Sequence, residues 1–531
     1  MKLIRHIHVP FVSSVAIVTA LAACGGGGET TTDGAGASGA STSSPNGGAG
    51  GEGEGGAGGL FNNTGGIGGD GGSQTTTSGN TTTTTAPPDP NGLCLSPAPT
   101  DGATQWALKA GADNVQSALG ITTDAQGNVV VAGAFQGTID LGAGVLTSAG
   151  LNDAYVAKLG ANGTAMWSKK FGDSGFHQYA QHVATDAQGN VVLTGYFRGT
   201  VNFGGQNLSD ISNFFDDIFV AKLDGAGNHV WSKRYGDINS EESKAIATDA
   251  QSNILVAGAF QKTVNFGGGA IVAEDGGFNA FVAKLTPAGE QVWAKSFGDT
   301  AAEQKALGVT ADDDGNVYVV GYHKGSIDFG GGALAAEGTD QNAYVAKLNP
   351  QGTLVWAKTF GTDTASAVDV GVDTAGNVLV LGNFKGKINF GGDDLDAGVA
   401  NNVFLLKLDA AGALVWAKNY GTPNKAEEAT SIALDGDKPI VLGIFTDKID
   451  FGGGALTSAG GFDVFLAKLD ADGCQSHAKS YGADMLQRGE TLAVDATGNI
   501  LFAGSFDGTV DFGAGALTAT ATDAYFVKTK P

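Results

Sequence analysis

Basic residues, proline and long apolar runs are scarce in this sequence. Its 531 residues include 30 Lys and Arg against 54 Asp and Glu, a formal net charge of −24. Such a chain lacks the clustered cations that a phosphate backbone requires, which excludes nucleic-acid binding. Beyond the first 24 residues, no stretch approaches 18 consecutive apolar residues, so no membrane-spanning helix is expected.

Catalytic and metal-binding motifs are missing as well. The sequence has no G-x-S-x-G, no H-E-x-x-H, no Walker-type loop and no sialidase Asp-box. Its histidines share no common position among the repeats described below, so they predict no zinc site. No segment shows a sustained 3.6-residue apolar period, and we expect almost no helix. We therefore expect no enzyme, no metal and no cofactor.

Glycine is abundant, with 87 residues against about 7% in average usage, but it has no three-residue period and collagen is excluded. The first residues instead carry a short basic start, Lys2 and Arg5, and an apolar segment too short to span a bilayer. That segment ends in Leu-Ala-Ala-Cys at Cys24, which resembles the lipobox of bacterial lipoproteins. Residues 1–23 are predicted to be a signal peptide and Cys24 the lipid attachment site; the alternative is an ordinary secretory signal.

Residues 24–97 comprise this Cys and a low-complexity Gly/Ser/Thr-rich segment. Such a composition cannot offset the entropy of ordering, and disorder is predicted. As a flexible coil the segment has a root-mean-square reach of about 40–50 Å. It would therefore serve as a tether between a membrane lipid and the rest of the chain.

Residues 98–531 contain seven sequence repeats. The motif W-x-K-x-(F/Y)-G begins at Trp167, Trp231, Trp293, Trp356 and Trp416, with variants at Trp106 and His477. Two further motifs, D-x-x-(G/S)-N and (D/N)-A-(Y/F)-V-A-K-L, recur with the same spacing. Each repeat predicts four strands, which we label A to D; the tryptophan lies on strand D.

The chain ends decide how the repeats are arranged. The first recognisable strand, around Trp106, is a D strand with no A, B or C before it, and the last, from Asp523, is a C strand with no D after it. An open solenoid has no reason for this permutation, whereas pairing the two ends closes a ring. The predicted fold is all-β: a seven-bladed β-propeller closed by pairing the N-terminal D strand with the C-terminal C strand.

With strings such as GNVVVAGAF and DAYVAKL, the repeat resembles the bacterial β-propeller repeat called SBBP, found in secreted and lipid-anchored proteins. The resemblance covers residues 98–531 and implies a propeller outside the cytoplasm, with no catalytic residue. The hairpin Lys407–Trp416 is also similar to the tryptophan-docking hairpin of quinoprotein dehydrogenases, but their eight blades and vicinal cysteines are missing. The same hairpin occurs in periplasmic scaffold lipoproteins that help assemble outer-membrane barrels.

The D–A and B–C loops of such a propeller share one face around the channel mouth. In six repeats an Asp follows strand D: Asp113, Asp173, Asp237, Asp299, Asp363 and Asp484. Acidic residues in a ring favour a cation or a basic partner; repeated Asx turns are the alternative. Phe214 and Phe215, in the longest B–C loop, are the best candidates for an exposed recognition patch, with packing between blades as the alternative.

Two further sets of residues carry predictions. The D-x-x-G-N motif predicts a turn whose Asp accepts backbone hydrogen bonds, because the ligand spacing of a calcium loop is missing. Lysines on strands C and D are expected to keep the outer strands soluble. The strand C lysines are Lys158, Lys222, Lys284, Lys347, Lys407, Lys468 and Lys528.

Cys94 and Cys474 are predicted to form a disulfide. With Cys24 lipidated they are the remaining cysteines of an exported protein, where thiols tend to oxidise. Cys94 precedes the first D strand, and Cys474 lies in the C–D hairpin of the neighbouring blade. Ring closure would bring both to one rim.

The sequence thus predicts a non-enzymatic, lipid-anchored envelope or cell-surface propeller whose loops bind a protein or glycan. We expect a monomer at the bacterial outer membrane, facing the periplasm or the surface, because Gly25 stands where enteric inner-membrane lipoproteins carry Asp. The alternatives are a periplasmic scaffold lipoprotein and a quinoprotein-like enzyme.

Overall fold

A computed structural model describes residues 102–212, 214–273, 277–298, 303–338 and 340–530. The predicted signal peptide and tether, including Cys24 and Cys94, lie outside the described residues, as does Asp299. Every regular element in the described ranges is a β-strand. Accordingly, none of these residues belongs to a helix long and apolar enough to cross a membrane.

Seven four-stranded antiparallel sheets form the blades, each paired in the order A–B–C–D. The A strands of blades 1 to 7 are Gln116–Thr123, Gln178–Thr185, Glu241–Thr248, Gln304–Ala311, Ala365–Val372, Glu427–Asp435 and Gln487–Val494. The B strands are Val129–Phe135, Val191–Phe197, Ile254–Phe260, Val317–His323, Val378–Ile388, Lys438–Phe445 and Ile500–Phe506. The C strands are Asp153–Leu159, Asp217–Leu223, Asn279–Leu285, Asn342–Leu348, Leu395–Leu408, Asp463–Leu469 and Asp523–Thr529. The D strands are Ala165–Phe171, His229–Tyr235, Gln291–Phe297, Leu354–Phe360, Leu414–Tyr420, Gln475–Tyr481 and, for blade 7, Thr104–Ala110.

The apolar core lies between the blades. Strands B and C are the central strands of each sheet, and in blade 1 both are buried along their whole length. Each apolar cluster joins two neighbours: Val130 of blade 1, for example, packs with Val191 and Phe219 of blade 2. The continuous apolar runs of strands B and C therefore reflect burial on both faces.

The predicted closure of the ring is confirmed. Strand D of blade 7, at the N-terminal end, pairs antiparallel with the last strand C, with Ala107 opposite Val527 and Lys109 opposite Tyr525. Blade 7 also contacts blade 1 through its inner strand, where the Ile121 amide donates to Thr491 Oγ1 at 3.3 Å. The first and last described strands thus belong to one sheet.

Six B–C connections contain a short two-stranded hairpin that the repeat pattern does not predict. The hairpins pair Thr138–Asp140 with Val145–Thr147, Thr200–Val201 with Leu208–Ser209, Thr263–Asn265 with Ala270–Val272, Ser326–Ile327 with Leu334–Ala335, Lys448–Ile449 with Leu456–Thr457, and Thr509–Asp511 with Ala516–Thr518. In blade 5 this pairing continues strands B and C instead.

In six of the seven blades, the tryptophan of strand D contacts the next blade. Trp167 Nε1 donates to the carbonyl of Gly225, in the C–D turn of blade 2, at 3.2 Å. The indole lies against Gly227 of that turn, whose φ is +81°, and a Cβ there would stand 2.9 Å from the ring. Blade 7 has no C–D turn because its C and D strands come from opposite chain ends, and at this junction the column has His477, against Gly102.

The expectation that the strand C lysines keep an outer strand soluble is wrong. Lys222 is buried, and its Nζ lies 2.7 Å from Oδ2 of Asp186 in the A–B turn of the same blade. Equivalent pairs join Lys158 to Asp124, Lys284 to Asp249, Lys347 to Asp312, Lys407 to Asp373, Lys468 to Asp435 and Lys528 to Asp495. The cation lies inside because the turn supplies its counter-charge.

The turn function predicted for this Asp is confirmed. Asp186 Oδ1 accepts the backbone amides of Gln188 and Asn190 at 3.0 and 2.9 Å, and Oδ2 accepts Asn190 Nδ2 at 2.8 Å. Burial alone would raise the pKa of Asp186, but hydrogen bonds from Lys222 and Asn190 outweigh it and hold the pKa below its ordinary value. One carboxylate therefore closes the turn and neutralises the buried lysine.

Candidate functional site

The D–A and B–C loops form one rim of the propeller, which we call the D–A rim. The acidic residues predicted to form a ring lie in its D–A loops, where Asp113, Asp363 and Asp484 are exposed. Asp173 accepts the amides of Gly175 and Phe176 through Oδ1 and that of Thr200 through Oδ2. This geometry fits the turn alternative at that position. Ligand binding by the Asp residues stays a prediction.

Comparison among the blades locates a more specific feature. Because the seven blades have the same strand order, residues at equivalent positions can be compared. A residue type found in one or two blades alone indicates a role beyond the fold. The second residue of strand A is Ser117, Tyr179, Glu242, Lys305, Ser366, Glu428 or Arg488 in blades 1 to 7. Opposite it, strand B carries Ala134, Tyr196, Ala259, Tyr322, Asn383, Ile444 or Ser505. Tyrosines occur at these positions in blades 2 and 4, and the intervening blade 3 carries a glutamate.

In blade 2 these residues form an aromatic cluster. The Tyr179 and Tyr196 rings stack with centroids 5.0 Å apart, and His177 stacks on Tyr179 at 6.1 Å. Arg198 Nη2 pairs with Asp216 Oδ1 at 3.1 Å beside them. Burial, followed by the nearby Arg198, lowers the pKa of His177 and favours its neutral form. The cluster offers stacking faces and one charged pair.

Blades 3 and 4 continue this surface with charged groups. Lys305 Nζ lies 3.2 Å from Glu242 Oε2 and 3.4 Å from Glu303 Oε1, and sits 4.4 Å above the centroid of the Phe278 ring. The Tyr322 hydroxyl donates to Glu303 at 3.0 Å. Together with the cluster of blade 2, these side chains place aromatic and charged groups along the D–A rim of blades 2 to 4.

An exposed apolar group stands beside the aromatic cluster. Phe214 is 77% exposed and Phe215 44%, while Ile211 and Ile238 are 55% and 63% exposed. We call these four side chains the blade-2 crest. Their two loops are joined where the Glu241 amide donates to the carbonyl of Asp216 at 3.2 Å. The exposure of Phe214 shows that this side chain is not packed between blades, whereas Phe215 is partly covered. Recognition by the two phenylalanines stays a prediction.

Beneath the crest, two buried carboxyl groups lie where blades 2 and 3 meet. At the equivalent contacts between the other blades, at least one of the two side chains is an amide. Asp217 begins strand C of blade 2 and Glu241 begins strand A of blade 3; they are 1% and 0% exposed. Arg234 Nη1 lies 2.6 Å from Asp217 Oδ2. Burial, with Asp237 and Asp217 nearby, raises the pKa of Glu241 to about 9. In sequence, the signal was that Gln occupies the position of Glu241 in four other blades.

The described residues also bear on metal binding. Among them, no three His, Cys, Asp or Glu side chains are placed to hold a metal ion. His182, on strand A of blade 2, is half-buried, and this burial lowers its pKa to about 4. Cys474 lies in the C–D turn of blade 6, where its amide donates to Asp470 Oδ1 at 2.8 Å. Its disulfide with Cys94 stays a prediction.

These features define a closed seven-bladed β-propeller with a specialised rim at blades 2 to 4. No family model matches the chain. It is similar to an uncharacterized WD repeat-containing protein of Acanthamoeba polyphaga mimivirus, 21% identical over 506 residues that cover 77% of this chain and 36% of the relative. The chain thus spans about a third of the length of that curated relative.

Several solved propellers are similar in structure. The WD40 repeats of RRP9 superpose with a TM-score of 0.43 and 8% identity, covering 81% of this chain and 99% of theirs. The β-propeller domain of the Trilobed protease from Pyrococcus furiosus gives 0.39 and 10%, covering 80% and 94%. A PL25 ulvan lyase gives 0.39 and 11%, covering 75% and 93%. These similarities concern the propeller fold, and fold alone does not decide activity.

Proposed function

We propose that this protein is a non-enzymatic binding scaffold that engages a protein partner through the blade-2 crest. The observation that carries the proposal is the grouping, on one rim, of the exposed Ile211, Phe214, Phe215 and Ile238 beside a stacked tyrosine pair. Exposed apolar groups bordered by polar residues mark interaction sites, and aromatic residues dominate binding energy.

The flanking charges suit a protein partner. Glu242, Glu303 and Lys305 form a half-buried network rather than a free cation or anion pocket. Such a rim gives orientation and partner selection, while the crest supplies apolar burial. Burying one exposed Phe side chain stabilises a complex by about 1.5–3 kcal/mol. The two phenylalanines are therefore the main apolar contributors to binding in this proposal.

We expect the double substitution Phe214→Ala and Phe215→Ala to weaken partner binding about 100-fold, since tenfold corresponds to about 1.4 kcal/mol. The measurement is affinity capture from an envelope extract, with the captured partner then titrated against purified variants. Val399→Ala is the matched control because Val399, in the extended part of strand C of blade 5, is 83% exposed. Unchanged affinity in the double variant would contradict the proposal. If the double variant loses binding to a glycan and not to a protein, the proposed class of partner is wrong.

We further propose that the propeller is lipid-anchored through Cys24 and held off the bacterial outer membrane by residues 24–97, as a monomer. The Leu-Ala-Ala-Cys lipobox, the Gly/Ser/Thr-rich composition and the resemblance of the repeat to SBBP propellers support this. The disulfide between Cys94 and Cys474 belongs to the same proposal. It is supported by Gly102, which lies against His477 in strand D of blade 6, so that the chain enters the ring beside the hairpin of Cys474.

Cys24→Ser should abolish acylation and release the protein into the soluble fraction, because the thiol is the predicted acceptor of the lipid. Incorporation of labelled fatty acid and partition into detergent measure this. Cys474→Ser is the control and should remain acylated. A Cys24→Ser protein that still takes up labelled fatty acid would show that the anchor lies elsewhere.

A further inference from the structure

At each junction between blades, a residue of strand C approaches the first residue of the next strand A; it is the first residue of strand C except in the longer strand of blade 5, where it is Asn402. At the junction of blades 7 and 1, oxygens of Asp523 and Gln116 each stand 2.3 Å from where a Cβ of Gly111 would lie. The seven pairs are Asp523 and Gln116, Asp153 and Gln178, Asp217 and Glu241, Asn279 and Gln304, Asn342 and Ala365, Asn402 and Glu427, and Asp463 and Gln487. Only the junction of blades 2 and 3 has two carboxyl groups.

This position in strand A normally supplies a hydrogen-bond donor. Gln116, Gln178, Gln304 and Gln487 each donate Nε2 to the carbonyl of the residue that follows strand B, at 3.0, 2.9, 3.1 and 3.3 Å. A glutamate can donate a hydrogen bond only in its protonated form.

The approach of the Asp217 and Glu241 carboxyl groups also favours a protonated form of one of them. Oxygens of Asp217 and Glu241 would lie 2.3 and 2.6 Å from a Cβ of Gly236, so the two carboxyl groups face each other across one small space. Asp217 Oδ1 and Glu241 Oε1 are buried and have no hydrogen-bond partner among the described residues. The Glu241 oxygen that faces Asp217 is Oε2, which accepts the backbone amide of Asp237 at 3.3 Å. Ionisation of both buried carboxyl groups in so small a space is unfavourable, although Arg234 binds Asp217.

The charged groups around this space leave an excess of negative charge. Facing the pair are Arg234 on strand D, which binds Asp217, Asp237 on the D–A loop and Asp210 on the B–C loop. Burial raises the pKa of Glu241 well above its ordinary value, and Asp237 and Asp217 add to the shift. Burial also raises the pKa of Asp217, with Arg234 opposing the shift.

We propose that Asp217 and Glu241 retain one proton between them at neutral pH, and that its release to solvent loosens the blade-2 crest. The proton is carried by Glu241, at the position where glutamine donates its amide in four other blades. Its loss places two carboxylates in contact at the point where the Glu241 amide holds the carbonyl of Asp216. Phe214 and Phe215 immediately precede Asp216, so repulsion there frees the crest. Regulation of binding in this way rests on the proposed function, whereas the change in the crest does not.

A fluorinated phenylalanine introduced at position 214 of the full chain tests this without any ligand. Its ¹⁹F resonance should narrow as the pH rises through the pKa of Glu241, because the side chain gains mobility. Glu241→Gln should abolish the transition, since the amide keeps the donor and cannot ionise. Glu427→Gln, at the distant junction of blades 5 and 6, where burial raises the pKa of the native carboxyl to about 7, should leave it unchanged.

A wild-type signal without a transition, or one that persists in Glu241→Gln, would overturn the proposal. A change of the same signal on addition of Ca²⁺ alone at neutral pH would also overturn it, because a cation and not a proton would then bridge the carboxyls. If the transition is found but the crest variants bind partner normally, the proton switch stands and the proposed function fails. The two proposals therefore fail separately.

Discussion

Deletion of Thr104–Gly111 should remove most of the stability of the propeller. Without this strand, the last strand C loses its partner and becomes an open edge. Buried Asp523 also loses Lys109, whose Nζ lies 2.5 Å from Oδ2, and an unpaired buried charge alone costs about 3–5 kcal/mol. Trp106, which donates to the Ala161 carbonyl of blade 1 at 3.1 Å, is lost as well. These losses approach the typical stability of a whole domain, about 5–15 kcal/mol.

Thermal unfolding followed by circular dichroism measures this effect. The control is deletion of residues 62–69, an equal length of the predicted tether, which should leave the midpoint unchanged. Equal midpoints for the two deletions would contradict a ring closed by strand pairing. A large decrease confined to the first deletion is the result that closure predicts.

Asp186→Ala should cost about 3–5 kcal/mol, the range for removing one partner of a buried ion pair. The substitution leaves the Lys222 ammonium, 6% exposed, without a counter-charge and frees the backbone amides of the A–B turn. The folded-state pKa of Asp186 is lowered, so its stabilisation is present above the ordinary carboxyl range and is lost as the pH falls through the lowered pKa.

The chain provides its own control for this experiment. In blade 6 the turn lacks the usual asparagine, and Asp435, which pairs with Lys468 at 2.8 Å, is 34% exposed. Asp435→Ala should therefore cost clearly less than Asp186→Ala, because the carboxylate that it removes is already partly solvated, although Lys468 is 12% exposed. Urea unfolding of the two variants gives the comparison. Equal losses would show that burial does not set the importance of these pairs.

Much of the architecture is predictable because the same sequence pattern occurs seven times. Strand order, blade number and closure all follow from motifs that recur with constant spacing and from the split repeat at the chain ends. The turn carboxylate of D-x-x-G-N was likewise predictable, since its hydrogen bonds are local in sequence.

What could not be predicted depends on contacts between distant positions. Lys222 resembles an exposed strand residue until strand C is placed against the A–B turn that contains Asp186. The tryptophan column is obvious in sequence, but its acceptor lies in the next blade, as Gly225 does for Trp167. The tryptophan of blade 6 is replaced by His477. The reason is visible only in the structure, because blade 7 has no C–D turn for a tryptophan of blade 6 to contact.

The candidate site was found in part. Phe214 and Phe215 were identifiable from the length of their loop, although exposure and packing could not be distinguished before the loop was placed. Tyr179 and Tyr196 were missed because they occupy regular strand positions. Comparing equivalent positions across the blades would have revealed them.

Site-specific photo-crosslinking in intact cells tests the central claim most directly. A photoreactive phenylalanine analogue at position 214 should yield one specific protein adduct, whereas the same analogue at position 399, equally solvent-accessible on blade 5, should not. This result would assign partner binding to the crest of blade 2. Adducts of equal yield from both positions, or adducts only from position 399, would contradict it.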